Sequence, residues 1–187
     1  MKANSYLSRS RSCSGVSLVE VMMAVAVGSL VLSAAGSVFI YGLFSFAGMG
    51  NYAILTGQSR YSLDRMSREV REATQIVAVQ QSASAKLLSV TNAYSGALIT
   101  YRWDSRNGQL TRSLNSQPPE VCLSGCDAWD FTMFQRAPTN QWTFYPTVSL
   151  QLCKLVNMSW KCSRTILGQK INTENVVTAQ IVLRNKP

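Results

Sequence analysis

Hydrophobic and polar residues divide the start of the chain into a polar, basic head and a long apolar run. Residues 21–46 are rich in Val, Met, Ala, Leu, Ile and Phe, and no charged residue lies between Glu20 and Arg60. A bilayer core of about 30 Å requires about 20 apolar residues in helical form. The run is therefore long enough to span a membrane.

The next stretch, residues 47–80, is amphipathic, and its apolar residues keep the spacing of a helix. No Pro occurs between Val16 and about Val79. Apolar residues spaced mostly three or four apart share one face of a helix. Arg65 and Glu69 are spaced to form an ion pair on another face. We predict one continuous helix to about residue 79, with this apolar face: Leu55, Leu63, Met66, Val70, Ala73 and Val77.

Beyond the polar joint at 82–85 the pattern favours strands and turns. Alternating apolar residues indicate strands, and Asn107-Gly108 is a hairpin signal. The predicted fold class is α+β, with a long N-terminal helix packed on an antiparallel sheet. The predicted strands are Lys86–Thr91, Ala97–Trp103, Gln109–Leu114, Trp129–Phe134, Val148–Val156 and Val176–Arg184, with a loop over Gln117–Cys126 and a hairpin or loop around Lys161–Asn175.

The basic head predicts an N-terminus in the cytoplasm and a domain across the membrane, because Lys and Arg concentrate on the cytoplasmic side. A cleaved secretory signal has an apolar core of about 7–15 residues followed by a small-residue site. Here the small residue, Gly15, precedes the core. The expected organisation is a removed leader (1–15), a transmembrane and assembly helix (16–46), an amphipathic continuation (47–80) and a globular β-rich domain (81–187).

Glu20 is the one carboxylate at the start of the apolar run. Such a group costs about 2.5–3.5 kcal/mol at the centre of a membrane helix, less near an end, and marks a functional site by default. Cleavage after Gly15 would make Val16 the new N-terminus, with its amine four residues before Glu20. The alternative is an interfacial Glu on an ordinary signal anchor.

The segment Gly15-Val16-Ser17-Leu18-Val19-Glu20 resembles the class III leader of type IV pilins and type II secretion pseudopilins. The resemblance implies cleavage after Gly15 by a prepilin peptidase and N-methylation of Val16. It also implies that Glu20 meets the N-terminal amine of a neighbouring subunit. Two positions depart from the common pattern, with Val16 where Phe is usual and Ser37 where many major pilins carry Pro.

Two further segments resemble large minor pilins and J-type pseudopilins, namely the helical 59–71 and the hairpin 99–112 with its Tyr-Arg, turn and Leu-x-Arg pattern. The resemblance implies a structural minor pilin of a type IV pilus or its priming complex, or alternatively a J-type pseudopilin. Implied partners are other pilin subunits, an inner-membrane assembly platform and lipid before assembly. The implied location is the inner membrane, with the domain in the periplasm, and then a pilus or pseudopilus.

Five cysteines are present, and Cys13 lies in the predicted leader. Removal of the leader leaves an even set in an exported domain, which favours disulfides, and four cysteines allow three pairings. The pairing closest in sequence is Cys122–Cys126 with Cys153–Cys162. Free thiols and a zinc site are the alternatives, although zinc-ligand pairs usually lie two to four residues apart.

Composition argues against an enzyme, and no cofactor or metal is expected. The 187 residues include no His, which removes Ser-His and Cys-His nucleophile pairs. The net charge of +9 falls by three with the leader, and the remaining basic residues are scattered. No nucleic-acid partner is therefore expected. A DNA-binding minor pilin, using Arg102, Trp103, Arg106 and Arg112, and a signal-anchored periplasmic binding domain are the alternatives from other classes.

Overall fold

The computed structural model describes residues 15–115, 117–139, 143–165 and 175–184, and it confirms the α+β class. The chain divides into two compact units, Met1–Phe44 and Ser45–Pro187. In chain order the elements are α1 (Leu18–Arg71), β1 (Ala73–Gln81), β2 (Ala85–Asn92), β3 (Leu98–Asp104), β4 (Gln109–Leu114), β5 (Glu120–Ser124), β6 (Cys126–Arg136), β7 (Phe144–Pro146), β8 (Cys153–Cys162) and β9 (Asn175–Val182).

The helix ends at Arg71, so the predicted continuation to about residue 79 is wrong. Strand β1 follows immediately and pairs antiparallel with β2. Its sequence is rich in β-branched residues, which suit a strand better than a helix. The carbonyl of Arg71 accepts a hydrogen bond from the backbone N–H of Arg184 at 3.0 Å, and that of Glu72 accepts one from Ala93 at 3.1 Å. Contacts with distant parts of the chain therefore satisfy carbonyls at the helix end.

The first sheet contains β1 to β5 in sequential order, all antiparallel. The predicted alternation on β3 is confirmed, because Ile99, Tyr101 and Trp103 are buried while Arg102 is exposed. The predicted hairpin is also confirmed, and Gly108 closes the turn with a φ of +55° that favours glycine. This sheet contributes one face of the domain core.

The second sheet has the order β7-β6-β8-β9 and is also antiparallel. The chain passes from the first sheet to the second at Gly125, between β5 and β6. Gly125 has a φ of +67°, and a Cβ there would overlap the carbonyl oxygen of Ser163. Only glycine allows the backbone of Ser163, directly after the segment 153–162, to approach so closely at this crossing.

Two strand predictions require correction. The segment predicted as a loop after Pro118-Pro119 contains β5, because both prolines precede the strand and β5 lies at a sheet edge, where Pro is tolerated. The strand predicted at Val148–Val156 begins later, at Cys153, and extends to Cys162 because it pairs with β6 and β9. The hairpin or loop predicted around Lys161–Asn175 lies partly outside the described residues.

Within the second unit, the C-terminal part of α1 packs on both sheets through a narrow buried face. Two of its buried residues are serines that the hydrophobic pattern did not identify. The Ser62 hydroxyl donates to the carbonyl of Cys122 on β5 at 2.9 Å, and Trp160 on β8 donates its indole N–H to the Ser59 hydroxyl at 3.4 Å. The buried face comprises Leu55, Ser59, Ser62, Met66 and Val70.

A carboxylate on α1 accepts hydrogen bonds from side chains of the first sheet and so joins the helix to that sheet. Glu69 accepts hydrogen bonds from the Tyr101 hydroxyl and from Arg112 Nε at 3.0 Å, with Arg112 Nη2 at 2.7 Å. Tyr101 and Arg112 are direct cross-strand partners on β3 and β4. The predicted Arg65–Glu69 pair is confirmed at 3.6 Å, and Arg65 also binds Glu120 at 2.8 Å.

We predict that Glu69→Gln lowers the free energy of unfolding by about 2 kcal/mol, because it leaves the nearly buried Arg112 guanidinium without its carboxylate. The measurement is urea denaturation of the full chain in detergent. The matched control is Glu120→Gln, which removes an exposed partner of Arg65 and is expected to change stability little. Equal losses in the two variants would contradict a special role for Glu69.

Candidate processing and assembly site

The predicted cleavage site lies just outside the helix. Gly15, Val16 and Ser17 precede α1 and are exposed. The Ser17 hydroxyl accepts a hydrogen bond from the backbone N–H of Glu20 at 3.3 Å, and the Ser17 carbonyl accepts one from Val21 at 3.2 Å. Ser17 is therefore the N-cap of α1. A peptide bond that is exposed and lies outside a helix is accessible to a protease active site.

Glu20 lies in the first turn of α1, three residues after the cap. Ser17 and Glu20 follow the Ser-x-x-Glu order of a capping box. A negative charge in the first turn interacts favourably with the positive end of the helix dipole. The side chain is exposed in the single chain, so the helix start presents a carboxylate to other molecules.

The helix beyond Glu20 is long and apolar enough to cross a membrane, by length and composition. Its most apolar 18-residue window has a mean hydropathy of 2.1, and none of it is buried. The exposed large side chains include Leu30, Leu32, Phe39 and Phe46. An isolated chain in water cannot leave so much apolar surface uncovered at low cost, so this segment requires lipid or other protein helices.

Three serines on this helix have hydroxyl groups that are hydrogen-bonded within the helix itself. Ser29, Ser33 and Ser37 donate their hydroxyls to carbonyls three or four residues earlier, at distances of 2.7–2.9 Å. Because these hydroxyls already have hydrogen-bond partners, they do not need polar groups from an apolar environment such as lipid. At Ser37, where many major pilins carry Pro, the helix runs on without a break.

Of the four predicted disulfide candidates, two are brought together by strand pairing. Cys126 begins β6 and Cys162 ends β8, and they are direct partners in the antiparallel register. Both are completely buried. The interaction with the Cys162 thiol, together with burial, raises the pKa of Cys126. The structure holds the four domain cysteines as thiols.

The predicted pairing of Cys153 with Cys162 is wrong for this fold. The two residues lie at opposite ends of β8, and nine steps of a strand separate them by about 30 Å. A disulfide requires Cα atoms about 4.4–6.8 Å apart. A zinc site using all four thiolates fails for the same reason. Among the described residues, no group of three or more His, Cys, Asp or Glu side chains is placed to hold a metal ion.

The aromatic and basic residues of the hairpin do not form an exposed stacking surface. Trp103 is 4% exposed and donates its indole N–H to the carbonyl of Cys126 at 2.9 Å. Arg112 is bound to Glu69. The hairpin motif predicted from the sequence thus has a structural use, in which Tyr101 and Arg112 meet the helix carboxylate. The sequence identified these residues as a motif, but it did not identify Glu69 as the partner that they bind.

Comparison with known families identifies the N-terminal segment. Residues 10–36 match the prokaryotic N-terminal methylation motif. This range includes the predicted cleavage site, Glu20 and the first apolar turns of α1. Neither the curated proteins nor the solved structures give a significant match. The motif and the apolar helix support a type IV pilin or pseudopilin, which is a structural rather than an enzymatic class, processed by a prepilin peptidase and assembled with other pilin subunits.

We predict that Cys122 reacts slowly with alkylating reagents near neutral pH. Burial is the main cause that raises its pKa from 9.0 to about 11, partly opposed by Arg65. The folded state therefore holds the proton between pH 9.0 and about 11, and the associated stability is full below pH 9.0 and declines as the pH rises through about 11. The measurement is peptide-resolved iodoacetamide labelling of the folded full chain against pH.

The control for the Cys122 experiment is the same chain in urea, where the labelling midpoint should return to the ordinary thiol pKa of 9.0. A folded-state midpoint at that ordinary value would show that the thiol is not buried against the helix.

Proposed function

We propose that this chain is a structural minor pilin, cleaved after Gly15, methylated at Val16 and assembled into a type IV pilus or its priming complex. The methylation motif at 10–36, followed directly by an uncovered apolar helix, carries the proposal. In this reading residues 1–15 are the leader, 16–46 form the transmembrane and assembly helix, and the residues from 47 onward belong to the exported domain.

Processing and assembly use the same short segment. Removal of the basic head frees the amine of Val16 directly before the N-cap, and the carboxylate of Glu20 stands one helical turn further on. An amine and a carboxylate in an apolar setting each require a partner of opposite charge. Pairing between the amine of one subunit and Glu20 of its neighbour would set the register of adjacent helices.

The helix surface supports close packing of subunits. Glycines at 28, 36 and 42 offer no side chain, and the serines beside the first two, Ser29 and Ser37, bond to their own helix. Small residues allow helices to approach closely in an apolar environment. Before assembly the same surface would face the lipid of the inner membrane, with the domain on the periplasmic side and the assembly platform as a further partner.

The alternative is a J-type pseudopilin of a type II secretion system. The hairpin, whose Tyr101 and Arg112 converge on Glu69, resembles large minor pilins and J-type pseudopilins alike, so it fits both candidates. Both proteins would use the same processing and helix packing. Co-purification with pilus or with secretion components distinguishes them.

We predict that Glu20→Ala leaves membrane insertion intact but abolishes incorporation into filaments, because the neighbouring amine loses its partner. The measurement is immunoblotting of sheared filaments and of membranes. Glu20→Asp, which keeps the charge, is the matched control and should retain part of the incorporation. Glu20→Ala at the wild-type level in filaments would refute a role for the carboxylate in assembly.

We predict that Gly15→Val accumulates as an uncleaved precursor, because the bulkier side chain fills the position before the cut. Gel mobility and N-terminal mass spectrometry measure this, and the wild-type chain should begin at Val16 with one added methyl group. Ser14→Ala is a control next to the cut and should be processed normally. A wild-type chain that keeps its head, or begins elsewhere, would support a plain signal anchor instead.

A further inference from the structure

We propose that Cys126 and Cys162 form a disulfide across strands β6 and β8 in the working protein, and that Cys122 and Cys153 stay outside it. This pairing differs from the one that sequence proximity favours. It rests on the strand register, on the hydrogen bonds around Cys126 and on the positions of the other two cysteines.

The register makes Cys126 and Cys162 a close-approach pair. The adjacent pair, Gly125 with Ser163, is hydrogen-bonded, since the N–H of Ser163 donates to the carbonyl of Gly125 at 2.8 Å. In an antiparallel ladder, hydrogen-bonded and non-hydrogen-bonded pairs alternate. Cys126 and Cys162 therefore occupy a non-hydrogen-bonded position, where Cα atoms are about 4.5 Å apart and side chains are nearest. This separation lies within the range of disulfides.

The backbone hydrogen bonds of Cys126 agree with this assignment. Its N–H donates to the carbonyl of Gly108 at 2.7 Å, and its carbonyl accepts the indole N–H of Trp103 at 2.9 Å. Both groups bond to the first sheet rather than to Cys162. The Cys126 thiol donates to the carbonyl of Ala128 on its own strand at 3.3 Å and also interacts with the Cys162 thiol.

Competing pairs with Cys153 are excluded by distance. Cys153 lies about 30 Å along β8 from Cys162. Cys122 lies four residues from Cys126, at most about 14 Å away along an extended chain. Cys153 is therefore about 10 Å or more from Cys122 and further from Cys126, beyond the reach of a disulfide. Of the four cysteines within the described residues, this leaves Cys122 as the competitor, and its carbonyl is bonded to Ser62 on the helix.

Bond formation is a thiol–disulfide exchange. The Cys126 thiolate attacks the disulfide of a donor, an oxidised dithiol protein or glutathione disulfide, and releases one donor thiol. The Cys162 thiolate then displaces the second donor thiol, so that one sulfur–sulfur bond forms in the chain as one is reduced in the donor. Because both thiols are buried in the finished fold, the exchange takes place during folding. In the cell this requires the exported topology and rests on the proposed function.

The test is peptide mapping of the full chain without reductant, after acid quenching and alkylation in denaturant. Trypsin leaves Cys122 and Cys126 together in peptide 113–136 and Cys162 in peptide 162–164. We expect these two peptides to be linked in the wild type and in Cys122→Ser, and the link to be lost in Cys126→Ser. A link that survives Cys126→Ser and is lost in Cys122→Ser would overturn the assignment, as would alkylation of both Cys126 and Cys162.

The Cys126–Cys162 disulfide and the exported location of the domain are tested separately. Full chain refolded in detergent with a glutathione redox buffer should form the same link without any export step, and its absence there would overturn the pair. Reduction should lower the thermal midpoint of the linked chain by about 10 °C, because the bond closes a long loop. A link in the refolded chain together with free thiols in protein from cells would instead overturn the exported location of the domain.

Discussion

The carboxylate of Glu69 links the C-terminal part of the helix to the first sheet, and the geometry of the domain depends on it. Two cross-strand partners, Tyr101 and Arg112, direct polar groups to this one acceptor. Burial and the adjacent carboxylate together raise the pKa of Tyr101, so its hydroxyl stays a donor at all ordinary pH values. A nearly buried charge with so many donors leaves little freedom for the helix to rotate on the sheet.

The domain core is built from two sheets that the chain connects without a long loop. Gly125 is the only residue between β5 and β6, and its lack of a side chain lets Ser163 approach. The same crossing places Cys126 beside Cys162 and brings Trp103 onto the backbone of Cys126. One conformational requirement therefore determines a sheet junction, a buried indole hydrogen bond and a thiol pair.

The first unit differs from the second because its described residues form no buried core of their own. Its helix has a capped start, with Ser17 as the cap and Glu20 in the first turn. It does not bury its apolar surface within the chain. The stability of such a segment comes from its surroundings, which in a pilin or pseudopilin are first lipid and then the helices of other subunits.

The sequence by itself determined the leader motif, the apolar helix, the Arg65–Glu69 pair and the β3–β4 hairpin. These follow from local periodicity, charge order and turn chemistry, all within a few residues. The tertiary structure alone decided where the helix stops, because β1 gains a partner in β2 and Arg184 bonds to Arg71. It also decided that Ser59 and Ser62 are core residues and that Cys162 faces Cys126 rather than Cys153. Strand register joins residues far apart in sequence, and no local pattern records it.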